Sequence, residues 1–168
     1  IANEIQAEYK FKQLDIPSAV EAAEGNKETF RFLMQSYVDN AEKTKNDIIT
    51  SYEAEDYTNY TIYVHALKST SKMVGALTLS EKARLLEMAG KESNIDYIKD
   101  SHDEAMELFE LAVAEIKDYL EKVKPEEEEV EEVVVADASE IAEAAVTKEV
   151  AATEAENAEA DAESTDSE

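Results

Sequence analysis

The chain has 168 residues and no cysteine, and its 41 acidic side chains outnumber its 16 basic ones, which gives a formal net charge of −25. The absence of cysteine excludes a disulfide scaffold, a thiolate zinc site and a cysteine nucleophile. The negative charge argues against nucleic-acid binding, which needs lysine and arginine to replace counterions on phosphate, and against an anionic membrane surface. No apolar run reaches about 18 residues, so we expect no membrane-spanning helix.

Residues 1–124 are predicted to form an all-helical domain, because the chain has only three glycines, two prolines and no Asn-Gly or Asp-Gly hairpin signal. A short helical lead-in is expected first, in segments 1–14 and 18–24. The first long helix is predicted from Asn26, a good N-cap, to about Glu53. Its apolar residues recur at spacings of three and four, as on a helix with one buried face. They are Phe30, Leu33, Met34, Tyr37, Val38, Ala41, Ile48 and Ile49.

Three further helices are predicted to span about 56–75, 78–90 and 93–124. Asp56 is a good N-cap for the first of them, and Thr78-Leu79-Ser80-Glu81 fits a capping box for the second. The third opens at Ser93 or Asn94. Four amphipathic helices with short connections predict a four-helix bundle, and about 100–120 residues suffice for one core of this kind.

Pro125 divides the chain by composition. Residues 125–168 hold 17 acidic side chains and one basic one, so they carry −16 of the −25, and every aromatic residue precedes them. Such a segment cannot bury enough apolar surface to offset its chain entropy, so we predict a disordered, acidic C-terminal tail rich in Glu, Ala and Val. An acidic interaction arm or a nucleic-acid mimic is the alternative.

The second long helix carries the more informative of the two histidines, His65 and His102. Helical periodicity puts Val64 and Leu67 on the core-facing side and His65 on the opposite, locally positive side. Burial of His65 would expose that apolar side, so we expect an exposed imidazole, with a surface residue of no function as the alternative. His102 is interpreted as a surface residue near the start of the last helix.

His65 and Lys68 together suggest phosphoryl chemistry. They are one helical turn apart, so their Cβ atoms should lie roughly 5–6 Å apart. A neutral imidazole has a nitrogen lone pair that can attack a phosphoryl group, and a nearby ammonium can stabilise the negative charge that this brings. Ser69 is small, which leaves room for the active site of another protein to approach.

The segment His65-Ala66-Leu67-Lys68-Ser69, followed by Gly75-Ala76, resembles the signature of histidine phosphotransfer (HPt) domains of bacterial-type phosphorelays. Residues 79–87 are similar to the helix that follows in that family, and residues 14–28 resemble its lead-in. The likeness covers roughly residues 14–120.

This resemblance implies a four-helix bundle in which an exposed histidine relays a phosphoryl group between receiver-domain aspartates. His65 would be the phosphoryl acceptor, Lys68 would steady the phosphoryl group, and Gly75 would allow tight helix packing. The resemblance also implies that Mg²⁺ belongs to the receiver and that this chain needs no cofactor or metal. One departure is Ser69, where many members have glycine, which is expected to narrow the set of partners or slow docking.

The docking surface is predicted from helix position to lie around His65, on Thr61, Ile62, Ser69 and Lys72. We expect a monomer that contacts response-regulator receiver domains, without nucleic acid or direct membrane contact. The sequence contains neither a GxxxxGK[ST] phosphate loop nor a GxGxxG motif, so we expect a phosphocarrier without ATP-dependent kinase activity of its own. A degenerate, non-phosphorylated adaptor or scaffold is the alternative, and the His65–Lys68 pair argues against it.

The first residue is Ile1, and no basic-then-apolar leader follows it. We therefore expect a processed protein or a piece of a longer one. The cytoplasmic C-terminal portion of a hybrid sensor kinase and a trimmed, free-standing HPt protein both fit this expectation.

Overall fold

A computed structural model describes residues 1–125, in which Ile1–Lys124 form one compact unit. This described part contains helices and no strands, as predicted for an all-helical bundle. The predicted disordered tail lies outside the described residues, apart from Pro125. The helices are α1 (Ala2–Glu8), α2 (Ile16–Ala22), α3 (Lys27–Asp39), α4 (Ala41–Glu53), α5 (Tyr57–Met73), α6 (Leu77–Lys91) and α7 (Ile95–Lys122). None of them combines the length and the apolar character needed to cross a bilayer.

Three helix starts are capped as predicted. The side chains of Asn26, Asp56 and Asn94 each accept a hydrogen bond from the backbone N–H three residues later. Each cap satisfies one of the amide groups that a helix start leaves without a partner inside the helix. The caps therefore fix where α3, α5 and α7 begin.

Two local predictions are wrong. The helix predicted over 26–53 is divided at Asn40. The Ser36 carbonyl accepts both the Asn40 backbone N–H at 3.1 Å and the Asn40 side-chain Nδ2 at 2.8 Å, and side-chain bonds of this kind disfavour asparagine inside a helix. The predicted capping box at 78–81 is absent, because α6 already begins at Leu77 after the N-cap residue Ala76, without a side-chain cap. Ser80 instead donates its hydroxyl to the Lys68 carbonyl at 2.8 Å, which links α6 to α5.

The core follows the apolar stripes of the helices. Val64 and Leu67 of α5 are completely buried, and so are Ala83 and Leu86 of α6. Burial of a large aliphatic side chain contributes about 1.5–3 kcal/mol to stability. Such contacts therefore stabilise the packing of α5 and α6 in the bundle. The completely buried side chains on the remaining helices include Ile5, Ala19, Met34, Ile48, Ile98, Ala105 and Ile116. This packing leaves one face of α5 toward solvent, beside α6.

The turn between α5 and α6 depends on Gly75. Its φ of +79° lies in the left-handed region, and a Cβ there would meet the carbonyl oxygen of Asp15 at 2.3 Å. The Asp15 amide donates 2.8 Å to the Gly75 carbonyl, so the lead-in before α2 is joined to the end of α5. The end of α5 and the start of α6 are therefore fixed by this turn.

Candidate functional site

His65 lies near the middle of α5, on the face directed away from the core. Its side chain is 59 % exposed, whereas Val64 beside it is completely buried. The prediction of an exposed imidazole is therefore confirmed. The ring is accessible to a second protein, although one of its two nitrogens is hydrogen-bonded to a side chain of the bundle.

The group that holds the ring is Glu87 of α6, which the sequence analysis did not identify. This carboxylate is only 4 % exposed, and three basic side chains surround it. Its Oε1 lies 2.6 Å from His65 Nδ1 and accepts from Lys91 Nζ at 2.9 Å. Its Oε2 accepts from Lys68 Nζ at 2.6 Å. His65 and Lys68 thus meet through a shared carboxylate.

The Glu87 carboxylate is ionised. Burial alone would raise its pKa, but the hydrogen bonds from Lys68, Lys91 and His65 outweigh that effect and lower the pKa to about 2. An ionised carboxylate can only accept hydrogen bonds. The partner nitrogen of the imidazole, Nδ1, must therefore carry a proton, as the hydrogen-bond network assigns it.

This tautomer decides which nitrogen can react. With the proton on Nδ1, a neutral imidazole has its lone pair on Nε2, at the other side of the ring. Nδ1 is occupied by Glu87, so Nε2 of the exposed ring is the nitrogen available to an electrophile. The arrangement presents one oriented nucleophile, with two ammonium groups bound to the carboxylate beneath it.

Close approach of α5 and α6 brings these groups together. A Cβ placed on Gly90 would meet Thr61 Oγ1 at 2.0 Å and Thr61 Cβ at 3.0 Å. Only a residue without a side chain lets the two helices come this near at that point. Gly90 lies between Glu87 and Lys91 on α6, so it sets the spacing on which the hydrogen bond between Glu87 and His65 depends.

The four predicted docking residues have different surroundings. Ile62 is 58 % exposed, and Lys72 and Ser69 are also exposed. Ser69 Oγ lies 3.4 Å from the His65 carbonyl. Thr61 is half-buried against α6, and its hydroxyl donates 2.6 Å to the Tyr57 carbonyl. Three of the four residues are thus accessible beside His65, whereas Thr61 mainly contacts its own bundle.

His102 is buried, so its interpretation as a surface residue is wrong. Its side chain lies between α4 and α5, where its Nδ1 pairs with the Tyr60 hydroxyl at 2.9 Å and its ring stacks on Tyr52 at a centroid distance of 3.7 Å. Burial lowers the pKa of His102, and the charges of Asp103 and Glu53 oppose that shift only in part. This histidine contributes to core packing and is not accessible to a partner protein.

The missed residues had weak signals in the sequence. Glu87 follows Ala83 by four residues and therefore lies beside the apolar stripe of α6, where a carboxylate needs a partner. In a chain with 41 acidic side chains this position did not stand out. Within residues 1–125 no group of three or more His, Asp or Glu side chains is arranged to hold a metal ion.

Comparison with protein families gives one match. The family model of the Hpt domain matches residues 33–126, which is more than half of the 168-residue chain. The match includes His65, Lys68, Glu87 and Lys91. A search of curated proteins and a search of solved structures found no match.

Proposed function

The chain belongs to the Hpt domain family, and on that premise we propose that it relays a phosphoryl group between receiver-domain aspartates through His65. At the level of the family, Hpt domains transfer phosphoryl groups in phosphorelays and interact with receiver domains. The observation that carries the assignment to His65 is its exposed ring, held through Nδ1 by the buried carboxylate of Glu87.

The transfer step follows from that geometry. The lone pair of His65 Nε2 attacks the phosphorus of an aspartyl phosphate, and a P–N bond forms. The P–O bond to the aspartate breaks, and its electron pair leaves with the receiver carboxylate. No proton has to move, because Nδ1 keeps its proton and the product is a phosphoimidazolium. The negative charge of Glu87 stabilises this cation through the Nδ1–H hydrogen bond.

Retention of the Nδ1 proton also supports the reverse step. A phosphoimidazolium loses its phosphoryl group as a neutral imidazole, which is a better leaving group than an anionic one. Glu87 favours the protonated form of the ring, so phosphoryl transfer from His65 to a second receiver should remain easy. Lys68, bonded to the same carboxylate at 2.6 Å, supplies positive charge for the phosphoryl oxygens.

We propose the exposed surface around His65 as the receiver-docking face, with Ile62, Ser69 and Lys72 as contact residues. Ile62 offers apolar area, and Lys72 offers positive charge to the acidic pocket in which a receiver holds Mg²⁺. Lys72→Glu should slow transfer at low salt without loss of folding. Equal rates for this variant and the wild type would remove Lys72 from the docking face.

A non-phosphorylated adaptor remains the alternative. It has no need of a buried, ionised glutamate beneath an exposed histidine, since burial of that charge is costly unless it is paired. A place in a hybrid sensor kinase, a cytoplasmic location and a monomeric state stay predictions, because no described residue bears on them.

The direct test is phosphate acceptance. The full chain is mixed with a phosphorylated receiver domain and Mg²⁺, and label is followed on the wild type and on His65→Gln. We expect an acid-labile, alkali-stable phosphate on the wild type alone. Absence of label from several receivers, with helical folding verified by circular dichroism, would favour the adaptor.

A further inference from the structure

Lys91 is the third basic side chain on Glu87, and neither the resemblance nor the proposed function gives it a role. It follows Glu87 by one turn of α6, and its Nζ donates to Glu87 Oε1 at 2.9 Å. The same oxygen lies 2.6 Å from His65 Nδ1. The distance between His65 Nδ1 and Lys91 Nζ therefore cannot exceed the sum of these two distances, about 5.5 Å.

Lys91 shares its oxygen with the imidazole, whereas Lys68 binds the other oxygen, Oε2. The Lys91 side chain is also 65 % exposed, compared with 28 % for Lys68. An ammonium on a flexible and largely solvated stem can leave one acceptor for a stronger one nearby at little cost in packing. Lys91 is therefore both close to His65 and free to reorient.

Phosphorylation changes the charges of the site in a way that favours this reorientation. A phosphoryl group brings about −1.5 to −2 of charge and three strong acceptor oxygens. It would arrive on Nε2, across the imidazole ring from Glu87, which is already ionised. Two like charges at such a distance repel each other, so a second ammonium has a larger effect there than at an ordinary surface position.

We propose that Lys91 is a second phosphoryl-binding cation, held by Glu87 until His65 is phosphorylated and then bound to the phosphoryl oxygens. This inference rests on the proposed function of His65 as acceptor. No covalent bond forms or breaks in the exchange, because one N–H···O contact to Oε1 is replaced by one to a phosphoryl oxygen. Glu87 keeps the Nδ1–H of His65 as its partner throughout.

Lys122 is a matched control for Lys91. Each lysine lies in the last turn of its helix and pairs with an acidic residue four positions earlier, Asp118 in the case of Lys122. The exposed fractions of the two side chains are 65 % and 66 %. The partners differ, because Glu87 is 4 % exposed and also binds His65, whereas Asp118 is 42 % exposed and also binds Tyr9.

The first experiment needs no receiver. Phosphoramidate, a small-molecule donor, is used to phosphorylate the accessible imidazole of the full chain, and the lysine Nζ signals are recorded by NMR before and after. The Nζ signal of Lys91 should shift on phosphorylation, while that of Lys122 should stay unchanged. An unchanged Lys91 signal would overturn the inference.

The second experiment measures how phosphate distributes at equilibrium between a receiver and the chain. Lys91→Gln should lower the equilibrium ratio of phosphorylated chain to phosphorylated receiver about fivefold, as expected for the loss of one charge-assisted contact. Lys122→Gln should match the wild type, and Lys91→Arg should restore most of the effect. Equal ratios for Lys91→Gln and the wild type would overturn the role of Lys91 and leave the relay intact. Failure of the wild type to accept phosphate from any receiver would count against the proposed function, and the NMR result would still decide on Lys91.

Discussion

The two histidines of the chain both bond through Nδ1, and they differ in whether the ring itself is buried. At His65 the ring is exposed and its partner, Glu87, is buried. At His102 the ring itself is buried, and its partner is the Tyr60 hydroxyl. A buried anion can orient an exposed ring without closing it to reactants, whereas a buried ring is oriented by its packing. The same side chain is thus suited to chemistry in one place and to stability in the other.

Replacement of each histidine by glutamine should separate these two roles, and this is the largest expected effect. His65→Gln should lose phosphate acceptance completely, because no other accessible imidazole is present. Its free energy of unfolding should stay within about 0.5 kcal/mol of the wild type, as for other surface changes, since Glu87 keeps two lysine partners. His102→Gln should accept phosphate. Acceptance by His65→Gln would contradict the site assignment.

Glu87→Gln should weaken the oriented histidine without removing it. The amide lacks the charge that stabilises the phosphoimidazolium, and loss of about 1.4 kcal/mol in the transition state would slow transfer about tenfold. Phosphotransfer rates are measured at one pH by rapid quenching.

Glu81→Gln is the control for that variant. Glu81 is on the same helix and pairs with Arg84 at the surface, away from His65. Its substitution should leave the transfer rate unaltered. Similar slowing in both variants would indicate a general electrostatic effect of α6 and not an oriented imidazole.

His102→Phe should reduce stability by about 2 kcal/mol, because it leaves the buried Tyr60 hydroxyl without its partner. The stacking on Tyr52 is kept by a ring of similar shape, so the loss reports mainly the hydrogen bond. Urea denaturation followed by circular dichroism gives the difference. Wild-type stability in this variant would mean that the Tyr60–His102 pair contributes nothing.

The smallest expected effects are changes in stability over two separate pH ranges. The pKa of His102 is lowered from 6.5 in the folded state, so the unfolded chain binds the proton first and stability falls as the pH drops below about 6.5. The pKa of Glu87 is lowered from 4.5 to about 2, so its contribution is present above about 4.5 and is lost as the pH falls toward 2.

Unfolding free energies of the wild type, His102→Phe and Glu87→Gln across pH would resolve the two windows. Each variant should lose the pH dependence of its own window only. A His102→Phe curve parallel to the wild type between pH 5 and 7 would show that His102 does not contribute to it.

The sequence predicted the parts of the fold that follow from local rules. The buried positions of Val64 and Leu67 and the caps at Asn26, Asp56 and Asn94 needed only helical periodicity and capping chemistry. The exposed position of His65 followed from the same periodicity.

The errors have a different origin. His102 lies four residues after Ile98 and three before Ala105, both completely buried, so the stripe of α7 already included it. Its burial depends on the Tyr60 hydroxyl, a contact 42 residues away in the chain that local patterns do not contain. The division at Asn40 coincides with a side-chain hydrogen bond to the Ser36 carbonyl that adds to the backbone bond, and helical periodicity does not contain such a bond.

Gly90 has a consequence for how the site can vary. A methyl group added there would lie 2.0 Å from Thr61 Oγ1, so it would have to displace Thr61 or push the two helices apart. A shift of even one ångström would lengthen the 2.6 Å contacts of Glu87 with His65 and Lys68 beyond hydrogen-bonding range. The distances within the reactive centre are therefore set by a position that contributes no functional group. Attention to the reactive side chains alone would miss Gly90, which determines the distances between them.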